Sequence, residues 1–438
     1  MNLRFLPITL AISAAFAGSA QAQNLMSLFD TARGYDATYK AAQSQYSANL
    51  SKGEQAKALL LPTVGLAANI NRTEVDPSPG AAVNSQSMAF TINATHPLYR
   101  PANKAAYQQG MRQLELASIQ LKAAEQDLMV RLSQAYFDVL ISRESLDFVK
   151  AQKMAVAGQL AAAKRNFEVG TSTITDTREA QARYDLVLAQ EIAAENDLRI
   201  KSMALNQLVG LNNIEPKSLS RSAKLSAPES SSLEQWVKQS SEFNPSVLQT
   251  RAALDIAKLE TTRAQAGNKP TLDLVAGFTP TRYKNGRGIN ASQLDNNANT
   301  ISLAFNMPLF SGYATENRIK ETLSLEEKAR SDLDTAERSV AQATRTAFFG
   351  LQSGIGQVNA LQAAETSSQS ALDANKLGYQ VGVRINIDVL NSQSQLFQTK
   401  RDLAKARYDV LLGQLKLRQA AGVLTDIDLA SINALLNP

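Results

Sequence analysis

The sequence predicts a mainly helical, internally duplicated chain that lends four transmembrane β-strands to a shared barrel. Three observations carry that reading. First, the chain is written twice: Phe167-Glu168-Val169-Gly170, followed by Thr173-Ile174-Thr175-Asp176, returns as Tyr379-Gln380-Val381-Gly382, followed by Ile385-Asn386-Ile387-Asp388. The two glycines are 212 residues apart (382 − 170), and so are the two aspartates (388 − 176). The echo extends from Ala135-Tyr136-Phe137 to Ala347-Phe348-Phe349 and from Leu208-Val209-Gly210 to Ala420-Ala421-Gly422; a period this long decides architecture. Second, each half holds a run with no internal proline, Pro101 to Phe167 and Thr315 to Tyr379, whose length of about 65 residues gives a helix on the order of 100 Å. Third, four short segments alternate apolar and small polar residues with period two.

Taken in order, the chain begins with a secretory signal over residues 1–22. Arg4 charges a short n-region, Phe5 to Phe16 is apolar, and Ala20-Gln21-Ala22 fits small-x-small cleavage, so the mature chain is expected to start at Gln23. The first repeat, 23–211, reads helix, strands at about 62–72 and 87–97, long helix, turn, helix. In the first strand Val64, Leu66, Ala68 and Ile70 face one way; in the second, Met88, Phe90, Ile92 and Ala94 do. Residues 212–242 form a connector with Pro216, Pro228, Ser230 to Ser232, the sole Trp236, and a short helix near Leu233 to Ser240. The second repeat, 243–424, places strands at about 270–280 (Leu272, Leu274, Ala276, Phe278) and 300–309 (Ile301, Leu303, Phe305, Met307). Residues 425–438 close the chain with a short apolar helix that packs on the connector.

Each strand has the span of a tilted transmembrane strand. Pro62, Pro97, Pro270 and Pro308 are expected at the strand borders, and Thr73 to Ser85 and Lys284 to Asn299 as long hairpin loops. Four strands cannot close a barrel in lipid, where unpaired edges are prohibitive. At least eight are needed, so chains must share one barrel: a dimer supplies eight strands, a trimer twelve. The long helices carry a seven-residue seam, Leu114, Leu121 and Leu128 with Ala117 and Ala124 between, and Leu396, Leu403, Val410 and Leu417 with Thr399, Ala406, Gly413 and Ala420 between. Such a seam buries a thin stripe against neighbouring helices, coiled-coil fashion.

Composition excludes much chemistry. The chain has no Cys and one His, His96, so thiolate metal sites, Cys nucleophiles and His-based triads have no material. No metal, cofactor or enzymatic activity is expected. The net charge of +5 is spread along helices, which argues against nucleic acid. Gly350, Gly354 and Gly356 lack the lysine and strand of a phosphate loop and are expected to permit a bend or close helix packing.

Ala135-Tyr136-Phe137-Asp138-Val139-Leu140, Tyr379-x-Val381-Gly382-x-Arg384, Asp388-Val389-Leu390, Ala406-Arg407-Tyr408-Asp409 and Gly422 to Leu429, in this order within a duplicated chain, resemble the TolC family of outer-membrane export ducts over essentially the whole mature length. The resemblance implies a homotrimer with one twelve-stranded barrel in outer-membrane lipid, continued through the periplasm by a barrel of helices. It implies a passive channel recruited by a periplasmic adaptor and an inner-membrane transporter of the ABC, RND or MFS kind. It places a gate at the two turns: Tyr379 and Arg384 match the family's tyrosine and arginine of the lock, Asp176 their carboxylate partner, and Gln159 and Thr175 further polar partners. Asp388 matches a carboxylate of the pore constriction; a second such ring one helical turn on is Asn391 here, a departure that weakens cation binding at the entrance. The turns themselves, Val169-Gly170 and Val381-Gly382, match the adaptor contacts. The two halves differ where the lock is expected: Asn166, Phe167, Ser172 and Thr173 stand opposite Gly378, Tyr379, Arg384 and Ile385. A free-standing diffusion porin is the competing reading, and the long helices argue against it, since a porin needs only its barrel.

Overall fold

Residues 24–76, 78–80, 82–220, 232–284 and 294–436 are described by a computed structural model. The signal segment with its cleavage site, Pro228 and Ser230 lie outside them. In chain order the helices and strands are α1 (Leu25–Tyr35), α2 (Ala37–Ala58), β1 (Thr63–Val75), β2 (Val83–Tyr99), α3 (Pro101–Glu168), α4 (Ile174–Val209), α5 (Leu233–Phe243), α6 (Pro245–Gln265), β3 (Thr271–Tyr283), β4 (Asn296–Asn306), α7 (Ala314–Gln380), α8 (Asn386–Ala420) and α9 (Asp426–Asn433). With 68 and 67 residues, α3 and α7 each rise about 100 Å. Proline at the first position of α3 costs nothing there, because that N–H has no helical partner. Two compact units result, residues 42–121 with 245–338 and residues 1–41 with 122–244 and 339–438. Each draws on both halves of the duplication.

The first of these units holds the sheet, antiparallel throughout in the order β1-β2-β3-β4. The register places Leu66 opposite Ile92, Ile92 opposite Phe278, and Leu274 opposite Leu303. The predicted apolar residues of the paired strands therefore share one face, and nothing among the described residues covers it: Leu66 is 74% and Ile301 83% exposed. An apolar sheet face this open needs an apolar medium.

Three expectations about the strands are corrected. The hairpins are shorter than predicted: Thr73, Glu74 and Val75 pair with Ser85, Asn84 and Val83, and β4 begins at Asn296. Backbone pairing does not require an apolar partner, so the ladder runs on into polar sequence. Pro97 is no border but lies within β2, where the register shifts between Pro97 and Tyr99; an irregularity there lets the strand pass a residue without an N–H. For the same reason His96 sits inside the strand, opposite Leu274. β4 stops at Asn306, short of Pro308.

At the β2–α3 junction Arg100 donates Nε–H and Nη2–H to the two carboxylate oxygens of Asp273 on β3, at 2.7 and 2.6 Å. Among the helices of this unit, Gly110 lets α3 meet α2: a Cβ there would lie 2.6 Å from that of Ala56. Glu260 on α6 accepts from Gln109 on α3 and Arg318 on α7.

In the other unit the apolar side of α1 (Leu25, Leu28, Phe29, Ala32) is buried, with α1 against α4 and α9. Asn24 caps α1 by accepting from the amide of Ser27 at 2.7 Å. Asp36 accepts from the amide of Tyr39 and from both terminal nitrogens of Arg131. The Arg131 guanidinium holds the Asp36 carboxyl below its usual range, against the effect of burial. The connector is fixed by two phenols. Tyr136 accepts from the Lys217 amide and donates to the Lys217 carbonyl; Tyr408 donates to Glu144 and accepts from the amide of Leu219. Burial pushes both hydroxyls above the usual tyrosine value. Trp236 packs with Leu351, Val358, Leu403 and Val410. The predicted α8 seam is buried from Leu396 to Leu417, and Gly354 and Gly413 bring α7 and α8 together, facing Val410 and Leu351.

Candidate gate at the two helical turns

Both long helices end in the same backbone device. Gly170 and Gly382 take left-handed φ values of 78° and 81°. The amide of Thr171 then donates to the carbonyl of Asn166 at 2.8 Å, and that of Val383 to Gly378 at 2.9 Å. These bonds close Schellman motifs that satisfy carbonyls the helix leaves free. The equivalence ends there. In the first turn Thr173 caps α4: its hydroxyl accepts from the Asp176 amide at 3.2 Å, while the Asp176 carboxylate accepts from the Thr173 amide at 3.0 Å. The hydroxyls of Ser172 and Thr173 each donate to that carboxylate at 2.8 Å. The bond from Ser172, helped by those from Thr173, holds the Asp176 carboxyl below its usual range against partial burial. In the second turn the capping residue is Ile385, which has no side-chain oxygen, and no side-chain cap forms.

Asp388, at the position of Asp176, is thereby left to Arg384, at 3.6 Å. With the Arg384 side chain 58% exposed, this pair is weak. The expected link between Arg384 and Asp176 is not made within the chain: Asp176 Oδ2 is held by its own turn, and Arg384 lies beside Asp388. Arg384 instead folds over Gly378, where a Cβ would lie 2.6 Å from its Cγ. Thr175 is exposed and makes no side-chain hydrogen bond to any described residue.

The remaining predicted residues are joined across the repeats. Asn166 donates to the Tyr379 hydroxyl at 3.2 Å, and Gln159 to the Asn386 side-chain oxygen at 2.7 Å. Arg183 on α4 donates to Asn391 on α8 at 2.9 Å. Asn386 and Arg183 escaped sequence reasoning, since neither has a counterpart of its own type 212 residues away. Beneath these bonds Leu390 of α8 packs with Val156, Leu160 and Ala163 of α3 and with Ala180 and Val187 of α4. One position back, Val389 packs with Leu372 of α7, and Tyr379 lies against them. α8 is thus the helix on which both repeats meet. At the tips Val169, Val381, Val383 and Ile385 stand largely in the open.

Known proteins share this plan. The family model described as outer membrane efflux protein matches residues 17–211 and 236–423, once for each half. The chain is 31% identical over 432 residues to the outer membrane protein TolC of Vibrio cholerae, covering 98% of each chain. It is 29% identical over 428 residues to the proteases secretion protein PrtF of Dickeya chrysanthemi, covering 95% of this chain and 92% of that one. The crystal structure of the outer membrane protein VceC from V. cholerae superposes with a TM-score of 0.79 at 18% identity, over 91% of this chain and 96% of that one. The chain belongs to the outer membrane efflux protein family, and it is an outer-membrane export channel.

Proposed function

We propose that three copies of the chain close one twelve-stranded barrel, continued by a helical barrel whose entrance is gated at the two turns. A periplasmic adaptor engages the tips around Val169-Gly170 and Val381-Gly382, and an inner-membrane transporter loads the channel. The observation that carries this reading is the second turn: an uncapped helix start, an exposed ion pair between Arg384 and Asp388, and apolar side chains left uncovered. Contacts of that kind are individually weak and separable, as an entrance that must open requires. With Oδ2 of Asp176 held by its own turn and Oδ1 left open, Arg384 is the lock's adjustable member. In the trimer it would reach either Asp388 or a neighbour's carboxylate, and Tyr379, Gln159 and Thr175 complete the closed ring. Asp388 and Asn391 line the constriction, with Asn391 and its partner Arg183 removing negative charge there. The cargo includes polypeptides as well as small molecules, since PrtF is named for protease secretion.

The test is single-channel recording in planar bilayers. Arg384→Ser combined with Tyr379→Phe is expected to raise conductance severalfold. Unchanged conductance removes the gate assignment. Recovery of an adaptor on purification from cross-linked cells separates the recruited channel from a free-standing porin.

A further inference from the structure

We propose that a small tetrahedral oxyanion, of the inorganic phosphate or sulfate class, binds in a partly open cavity between α3, α4 and α8. The cavity has a volume of about 110 Å³, room for a few waters or one such ion. Its polar lining comes from Gln152, Arg183, Gln190, Ser394, Gln398 and Arg401, and no acidic residue contributes. The site shares Arg183 with the entrance, but ion binding there does not depend on the gate reading.

Three observations point to an anion. Two guanidiniums share the space, and neither has an ion-pair partner among the described residues; Arg183 spends one N–H on the neutral Asn391 side chain, and Arg401 makes no hydrogen bond to any described residue. Gln152 is 6% exposed, and its side-chain oxygen is buried without a partner, while its Nε2–H reaches Ser394 only at 3.5 Å. Turned over, the amide would accept from the Ser394 hydroxyl and aim an N–H into the cavity. The third observation is the floor, the apolar cluster of Val156, Val187 and Leu390, which lowers the local dielectric and strengthens charge-assisted bonds. Guanidinium forks match the paired oxygens of a tetrahedral oxyanion, and the amides supply neutral donors to the rest. A bound ion would tie α4 to α8 directly behind the Arg183–Asn391 bond.

Calorimetric titration of the full chain, purified in detergent, tests this with sodium phosphate and sodium sulfate against sodium chloride at matched ionic strength. One saturable site per chain is expected for phosphate and sulfate, with none for chloride. Arg183→Gln and Arg401→Gln should each weaken binding about tenfold or more, and Arg401→Lys by less. Gln398→Leu, which leaves both charges in place, should weaken it severalfold and serves if an arginine variant fails to fold. In crystals soaked in selenate, an anomalous peak should lie within hydrogen-bond distance of both guanidiniums. The proposal fails if the wild-type chain shows no saturable binding, if the double variant Arg183→Gln/Arg401→Gln binds as well as wild type, or if a short-chain phosphatidate binds where free phosphate does not.

Discussion

The two turns share a backbone and differ in what holds the next helix. At Gly170 the chain enters α4 through a complete capping box, with Ser172, Thr173 and Asp176 consuming one another's donors and acceptors. At Gly382 it enters α8 through Ile385, and the carboxylate in the matching place answers only to an exposed arginine. Duplication supplied one design, and divergence made the first copy self-sufficient and the second dependent on its neighbours. What holds the second turn in position is therefore distributed over side chains from elsewhere: Asn166 and Gln159 of α3, and Arg183 of α4. Under the proposed gate, the entrance would pivot where the local bonds are fewest.

The largest test of this contrast is Gln159→Leu. It strands the buried Asn386 side-chain oxygen and should cost about 1–3 kcal/mol in thermal unfolding, with the loss seen as faster amide exchange across the start of α8. Thr173→Ala should follow at about 1 kcal/mol, confined to the first turn. Ile385→Thr transplants the capping box: its hydroxyl can cap α8 while Asp388 reaches back. It should stabilise the second turn by about 0.5–1 kcal/mol and slow channel opening, and equal exchange rates at both turns before and after the change would erase the contrast. pH gives a subtler test. The folded Asp176 carboxyl titrates below the usual aspartate value, so its stabilisation is complete above that value and is lost as pH falls through the lower, folded one. Protection of the Thr173 amide should survive at a pH near the usual aspartate value and fade only below it, and Asp176→Asn should abolish that dependence. Smallest of all, Arg384→Gln should change unfolding by no more than a few tenths of a kcal/mol, for an exposed pair of this geometry, whatever it does to conductance.

The sequence made the repeats, the strands, the seam and the turns legible because each is local or periodic. Val64 to Ile70 alternates whatever the strand pairs with, and Val169-Gly170 announces a helix end without reference to its surroundings. The cross-repeat bonds had no such signature. Asn166 meets Tyr379 across 213 residues (379 − 166) and Gln159 meets Asn386 across 227 (386 − 159). Only the first falls near the repeat offset, which could have pointed to it. The resemblance supplied Gln159, Thr175, Asp176, Tyr379 and Arg384 as lock residues but not Asn166 and Asn386, which meet Tyr379 and Gln159 within the chain. The capping box was spelled out in Thr173-Ile174-Thr175-Asp176, and which carboxylate oxygen it occupies, Oδ2, needed the geometry. Pro97 misled because a proline marks a border only where the ladder cannot bend around it.

The pairing of β2 with β3 has a kinetic consequence. β1 and β2 form a hairpin from neighbouring sequence, and so do β3 and β4, but the Arg100–Asp273 contact closes a loop of 173 residues (273 − 100). Closure entropy grows with the logarithm of loop length, and contacts this distant slow the search for the native state. The two hairpins should therefore form early and separately. Their union would come late, with its inner edges open until then, and a bidentate clip at the seam would make that last step harder to reverse.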